Sequence, residues 1–348
     1  MMVLFIAVAL AALALILRLP ARIVAPMFAV LWFAALLAHL ALPDDSPLAR
    51  AVGGSWQSWL ALGGAALLAF GYGALVRRLR ARARPVPVSV PVPATGAFSA
   101  TELDRYARHI VLREIGGTGQ KRLKAARVLV VGAGGLGAPV LLYLAAAGVG
   151  AIGVIDDDDV SNSNLQRQII HTDGRIGMPK VTSAVAAMRA LNPFVTVVPY
   201  RERLTPARAA ALFPGYDLIL DGSDNFATRH LVNAACVAAA KPLISAAITQ
   251  WEGQIGLFHP AGGGPCYACL FPEIPADGLA PTCAEAGVVA PLPGILGSMM
   301  ALEAVKYLTG AGATLQGSLL IYDGLWGESR KLTAVRRADC AVCGGQGG

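Results

Sequence analysis

Arg127-Val128-Leu129-Val130-Val131-Gly132-Ala133-Gly134-Gly135-Leu136-Gly137 decides the fold. The first five residues are an apolar run rich in β-branched side chains, the pattern of a parallel strand buried on both faces. Gly132, Gly134, Gly135 and Gly137 follow at once, and Ala138 to Ala147 then reads as a helix. Glycines let the chain turn tightly and bring backbone N–H groups close to phosphate oxygens. The helix N-terminus adds donors and the positive end of its dipole. A second strand, Ala151 to Ile155, ends at Asp156. An acid about 20 residues past such a loop accepts hydrogen bonds from ribose hydroxyls. This order of strand, glycine loop and helix predicts a Rossmann-like α/β fold, and by itself it fits NAD, FAD and ATP equally.

The residues downstream separate the three nucleotides. Asn164, Arg167 and Lys180 are polar groups suited to phosphate, and Lys180 stands just ahead of Val181 to Leu191, a predicted helix. Nicotinamide binding has no need of an added Arg and Lys. A triphosphate does, because negative charge must be held while the α-phosphorus is attacked. A third strand, Asp217 to Leu220, runs into Asp221-Gly222-Ser223-Asp224-Asn225. An acid at the C-terminal end of a strand can hold Mg²⁺ against phosphates. A lone Lys or Arg is more often solvated surface charge, and Asp157 to Asp159 read as loop solvation or capping. The ATP reading rests on co-occurrence behind one glycine loop.

Six cysteines are present, four of them in two Cys-x-x-Cys pairs, Cys266/Cys269 and Cys340/Cys343. Two such knuckles can supply four thiolates to a closed tetrahedral zinc site, which leaves no open position for water and makes the metal structural. Such pairs read as metal ligands in a reducing compartment. Cys236, in Asn233-Ala234-Ala235-Cys236-Val237, reads as a core cysteine on a helix. Cys283, in Pro281-Thr282-Cys283-Ala284-Glu285, falls in a loop. It reads either as passive or as a nucleophile, and the latter needs a lowered pKa or a neighbouring base.

The 348 residues are 55% hydrophobic with a net charge of +7, and the mean hydropathy is +0.56. Much of the apolar excess lies near the N-terminus, in three runs at about 1–17, 23–42 and 51–76. Each approaches or exceeds the roughly 20 residues that cross a bilayer as a helix. Residues 1–84 therefore predict three transmembrane helices with a basic flank at Arg77, Arg78, Arg80, Arg82 and Arg84. The positive-inside rule places that flank and the catalytic domain in the cytoplasm and the N-terminus outside, a multi-pass membrane protein. The arginines lack interleaved aromatics, which argues against a nucleic-acid partner. Residues 85–98 read as a Pro-rich linker and 99–348 as the catalytic domain.

The chain from about Thr101 to Cys343 resembles the MoeB/ThiF adenylyltransferases, relatives of ubiquitin-activating enzymes. The matching stretches are Arg105-Tyr106-Ala107-Arg108-His109-Ile110, Gly132 to Gly137, Ser163-Asn164-Leu165-Gln166-Arg167-Gln168, Gly177-Met178-Pro179-Lys180, Asp221 to Asn225, and Cys283-Ala284-Glu285-Ala286-Gly287-Val288. The resemblance implies a ThiF-type fold and ATP-dependent adenylylation of the C-terminal glycine of a ubiquitin-like sulfur carrier of the MoaD/ThiS type. It implies Asp156 on the ribose, Asn164, Arg167 and Lys180 on the phosphates, and Asp224 on Mg²⁺. It further implies a homodimer in which Arg108 reaches the neighbouring subunit's phosphates. Sulfur transfer would need a separate donor. Two alternatives stand beside this reading. A membrane-anchored, non-catalytic binding protein of the same fold has no use for a complete ATP site. An NAD-dependent oxidoreductase leaves Arg167, Lys180 and the cysteine pairs unexplained.

Overall fold

The computed structural model describes residues 3, 7, 10, 21–43, 46–82, 96–273 and 286–344. Most of the first apolar run, most of the Pro-rich linker, and Cys283 lie outside these residues. The chain divides into two compact units, Met1–Val86 and Pro87–Gly348.

The expectation of three transmembrane helices, and with it the multi-pass placement, is overturned. No helix among the described residues is long and apolar enough to cross a membrane. The run at 51–76 is not one element. Its first two residues close a short helix, α2 (Pro47–Val52), and the chain breaks at Gly53 and Gly54, whose φ values are 75° and 82°. A new helix, α3 (Trp56–Arg82), then starts and runs on through four arginines of the basic flank. The run at 23–42 lies in α1 (Ala21–Ala41), which contains Pro26. Two indoles and one imidazole of this unit bond to backbone carbonyls within it. Trp32 Nε1 donates to Trp59 O at 2.7 Å, Trp59 Nε1 donates to Gly53 O at 2.9 Å, and buried His39 bonds Gly53 O at 3.2 Å. Counting apolar residues could not register the glycine break, which only a backbone conformation reveals.

The second unit is built on one sheet of eight strands in the order β3-β2-β1-β4-β5-β6-β7-β8. Strands β1 (Arg127–Val131), β2 (Ala151–Ile155), β3 (Thr196–Tyr200), β4 (Leu218–Asp221) and β5 (Leu243–Thr249) are parallel. Strands β6 (Glu252–Phe258), β7 (Ser318–Asp323) and β8 (Glu328–Thr333) extend it antiparallel. The α/β reading therefore holds, although of the eight strands the sequence reading named only β1, β2 and β4. What the sequence presented as a third strand is the fourth, because β3 contains Pro199 and was not recognised. β3 lies at the sheet's edge, where a proline is tolerated because no ladder hydrogen bond is lost.

The continuous apolar run of β1 is explained by burial on both faces. Val128 and Val130 pack with Leu141 of α6 (Gly137–Ala147), Met188 of α7 (Lys180–Leu191) and Met300 of α11 (Pro291–Thr309). Leu129 and Val131 point the other way, toward Leu212 of α8 (Pro206–Leu212) and Val232 of α9 (Phe226–Ala238). Each such side chain, once buried, contributes on the order of 1.5–3 kcal/mol. Strand order reverses between β1 and β4, and a crevice opens there at the strands' C-terminal ends, the place where open α/β sheets bind ligands.

The glycine loop is fixed in that crevice from several sides. A β-carbon on Gly137 would collide with the carbonyl of Gly132, and one on Gly135 would lie 3.0 Å from Pro293 of α11. His171, buried behind the loop, donates from Nε2 to Ala133 O at 2.9 Å, and its Nδ1 accepts from the Ser183 hydroxyl of α7 at 2.9 Å. The loop and the helix that begins at Lys180 are thereby tied to one imidazole.

Gly137→Ala should destabilise the domain by about 1–3 kcal/mol or more, as overpacking against backbone does, measured by urea unfolding. Burial pushes the His171 pKa down, and the charges of Lys180 and Arg175 act in the same direction. A depressed folded pKa means that neutral His171 stabilises the fold above its unfolded value, about 6.5, and that this contribution fades as pH falls through the lower folded value. Stability should decline below about pH 6.5, and His171→Gln should show a shallower decline over the same range.

Candidate functional site

A cavity of about 410 Å³ occupies the crevice between β1 and β4. Gly132, Gly134 and Gly135 form its floor, and Asp156, Arg167, Lys180 and Asp224 stand on its wall. Most of the nucleotide-site residues singled out in the sequence are thus brought together. Gly137 acts one step back, closing the turn against Gly132.

Asp156 ends β2 and locks the loop in place. Its Oδ2 accepts from Ala133 N at 2.8 Å and its Oδ1 from Asp158 N at 2.9 Å. Burial raises its pKa, partly offset by Lys180 and by those two N–H donors. Lys180 is the first residue of α7, its side chain is only 6% exposed, and its Nζ pairs with Asp158 Oδ2 at 2.7 Å. Asp158 is therefore more than loop solvation: it holds the lysine at the cavity. Asn164 is not on the wall. It accepts from Arg167 Nη2 at 3.0 Å and so steers that guanidinium. Asp224 is exposed on the wall, just ahead of α9, which Asn225 caps by accepting from Thr228 N at 2.8 Å. Arg108 is exposed in the last turn of α4 (Ala100–Ile110) and is not among the residues lining the cavity.

The cavity is not simply cationic. Among the described residues, Arg167, Lys180, Arg203 and Arg229 face five carboxylates, Asp156, Asp157, Asp158, Glu202 and Asp224. The wall residues to which the sequence reading gave no role include Gln168, Ser223 and Arg229. Gln168 and Ser223 lie inside motifs quoted above but carried no assigned role. The signal for Arg229 was an arginine in the second turn of a largely apolar helix, where nothing in the sequence supplies a partner.

The two cysteine pairs converge. Cys266 precedes α10 (Tyr267–Leu270), which contains Cys269, and Cys340 and Cys343 follow β8. All four are buried, with Sγ separations of 3.8 Å for Cys266–Cys269, 3.6 Å for Cys266–Cys340 and 3.5 Å for Cys269–Cys343. These distances are far beyond an S–S bond of about 2.05 Å. They fit the edges, about 3.8 Å, of a tetrahedron with metal–sulfur bonds of about 2.3 Å. Burial pushes the Cys266 thiol up. Burial acts the same way on Cys340, but N–H groups of Cys343 and Val342 outweigh it and bring that thiol down to about 7. Such donors favour the thiolate, the form that binds metal. Cys236 lies apart in the core, on α9.

The sequence profile of the ThiF family matches residues 106–342. The chain is 52% identical over 247 residues to "Sulfur carrier protein adenylyltransferase" of Thermus thermophilus, covering 70% of this chain and 91% of that protein. It is 49% identical over 249 residues to "Adenylyltransferase and sulfurtransferase MOCS3" of Sus scrofa, covering 71% of this chain and 54% of that protein, so it spans about half of the latter. The structure of E. coli MccB with ATP superposes with a TM-score of 0.61 at 24% identity, covering 69% of this chain and 74% of that one, a likeness of fold alone. By the extent of the family match, and by half-identical relatives across most of their length, this chain belongs to the ThiF family.

Proposed function

We propose that this chain uses ATP to adenylylate the C-terminal glycine carboxylate of a ubiquitin-like sulfur-carrier protein, releasing pyrophosphate. The single cavity where β1 and β4 part supports this, because it gathers the glycine loop, a ribose-type acid, two phosphate-type cations and a further acid around one volume. The relatives named for sulfur-carrier adenylylation supply the acceptor class.

The loop N–H groups and the α6 N-terminus cradle the phosphates. Asp156 takes the ribose hydroxyls with the lone pairs left after its bonds to Ala133 and Asp158. Arg167, steered by Asn164, and Lys180, held by Asp158, neutralise charge as the α-phosphorus is attacked. The carrier's carboxylate is the nucleophile. It forms a new P–O bond as the bond to the pyrophosphate oxygen breaks, giving an acyl-adenylate. No general base is needed, since that carboxylate is already ionised at neutral pH. Five carboxylates against four cations leave no surplus positive charge for a triphosphate, which fits a divalent ion. Asp224 would hold Mg²⁺, which supplies the missing charge. The four thiols suit zinc, which would pin the segment after β8 to α10. Cys283 is assigned no step, and sulfur donation is left to a separate protein.

The active form we propose is a homodimer. Val111, Leu112, Tyr143, Ile169 and Leu302 are exposed, and a shallow apolar depression bearing Tyr143, Ile169 and Leu302 also includes Arg167, which it shares with the nucleotide cavity. A second copy on this face would bring its own Arg108 toward the phosphates.

ATP–pyrophosphate exchange with a carrier tests the reaction. Asp224→Ala should abolish exchange, and Lys180→Ala should lower it about 10²-fold or more. Undiminished exchange in either variant would remove the site assignment. Cys266→Ser should cost folding before chemistry, read as a lower unfolding midpoint by calorimetry together with loss of bound zinc. A variant that stays folded and zinc-loaded but inactive would contradict a purely structural metal.

A further inference from the structure

Gln168 Oε1, Ser223 Oγ and Arg229 Nε are buried without a hydrogen-bond partner among the described residues, and all three residues line the nucleotide cavity. A buried donor left unpaired costs about 1–3 kcal/mol, and more when charged. Arg229 is the most demanding of the three. It is only 7% exposed, donates from Nη2 to Ser223 O at 2.8 Å, and has its guanidinium carbon 5.8 Å from the centre of the Phe226 ring. No carboxylate among the described residues forms an ion pair with it. Asp221, the buried acid that ends β4, is engaged by Ser223 N at 2.9 Å and by the Ser245 hydroxyl at 3.1 Å. A nearly buried guanidinium on a cavity wall without a counter-ion calls for an anion from outside.

Its place in the sheet narrows which anion. Asp156 ends β2, on one side of β1, whereas Arg229 follows β4, on the other. Beyond β4 the wall continues to Ile248 of β5 and so toward the antiparallel strands. With the ribose at the β2 end, Arg229 stands on the side left for the acceptor.

Its backing is equally specific. Arg229 and Asn233 lie four residues apart, on one face of α9. Asn233 Oδ1 accepts from Tyr267 N at 2.8 Å, and its amide faces the Cys266 thiol. The Tyr267 ring meets His230 edge-on at 5.5 Å and Phe258 at 5.6 Å. Burial raises the Tyr267 pKa, while the neighbouring Arg229 guanidinium draws it down. Tyr267 directly follows Cys266, so α9, which carries Arg229, packs through His230 and Asn233 on the knuckle of the thiol cluster.

We infer that Arg229 binds the terminal carboxylate of the incoming protein tail. This rests on the adenylylation proposed above. Arg229 selects the acceptor, whereas the groups between the loop and Lys180 hold the nucleotide.

The test is calorimetric binding to the full zinc-loaded chain with a non-hydrolysable ATP analogue present. The probes are a ubiquitin-like carrier ending in Gly-Gly and the same carrier with its terminal carboxylate converted to a carboxamide. The parent should prefer the carboxylate by about tenfold or more. Arg229→Gln should lose that preference while keeping affinity for the ATP analogue within about twofold. Arg229→Lys should retain part of the preference. If Arg229→Gln keeps the preference, or loses the nucleotide instead, the inference is overturned. If Arg229→Gln does not fold, Arg229→Lys decides, and an unchanged preference overturns it. A parent that binds the analogue and both carriers equally removes this inference alone. A parent that binds neither analogue nor carrier removes the adenylylation as well.

Discussion

At Gly137 the backbone passes so close to the carbonyl of Gly132 that no side chain fits between them. This close approach sets where α6 begins, and with it the direction of the N–H groups at the head of the helix. The same loop is clasped by Asp156 through Ala133 N and by His171 through Ala133 O. Both clasps reach further: Asp156 ends β2, and His171 bonds Ser183 on the helix that starts at Lys180. Geometry at one peptide unit is thereby transmitted to Asp156 on one side of the cavity and to the helix that carries Lys180 on the other.

Apart from Arg229, several charges around the cavity are held by polar neighbours rather than left as a bare positive patch. Lys180 leans on Asp158, Arg167 is bonded through Asn164, and Glu202 is tied to Arg208 at 2.7 Å. Such pairing fixes long side chains in advance, so less conformational entropy is lost when a polyanion arrives. It also means that Coulomb attraction of the free protein for nucleotide is modest. Binding would draw on preformed hydrogen-bond geometry and on a divalent ion, and salt would weaken it less than it weakens a bare cationic cleft.

The strand–loop–helix unit was legible because its signals are local. An apolar run, the glycines and the acid after the second strand each act within a few residues. The cysteine pairs were legible because two identical spacings far apart have few other uses. What stayed hidden depends on contacts between distant residues. Nothing near Asp158 announces Lys180, and nothing near Asn233 announces Tyr267. β3 was missed because Pro199 reads as a breaker unless the strand is known to lie at an edge. The run at 51–76 was misread because hydropathy sums over a window and is blind to the left-handed glycines that divide it.

Gly135 rests against Pro293, the third residue of α11, although almost all the rest of the cavity lies between residues 131 and 229. During synthesis the chain emerges from its N-terminus, and the loop, its acid and its lysine would all leave the ribosome well before that proline. A nascent chain would then carry most of the cavity's lining yet lack the surface that the loop settles on. Nucleotide affinity should accordingly appear late in translation, when α11 docks, rather than grow as each ligand emerges.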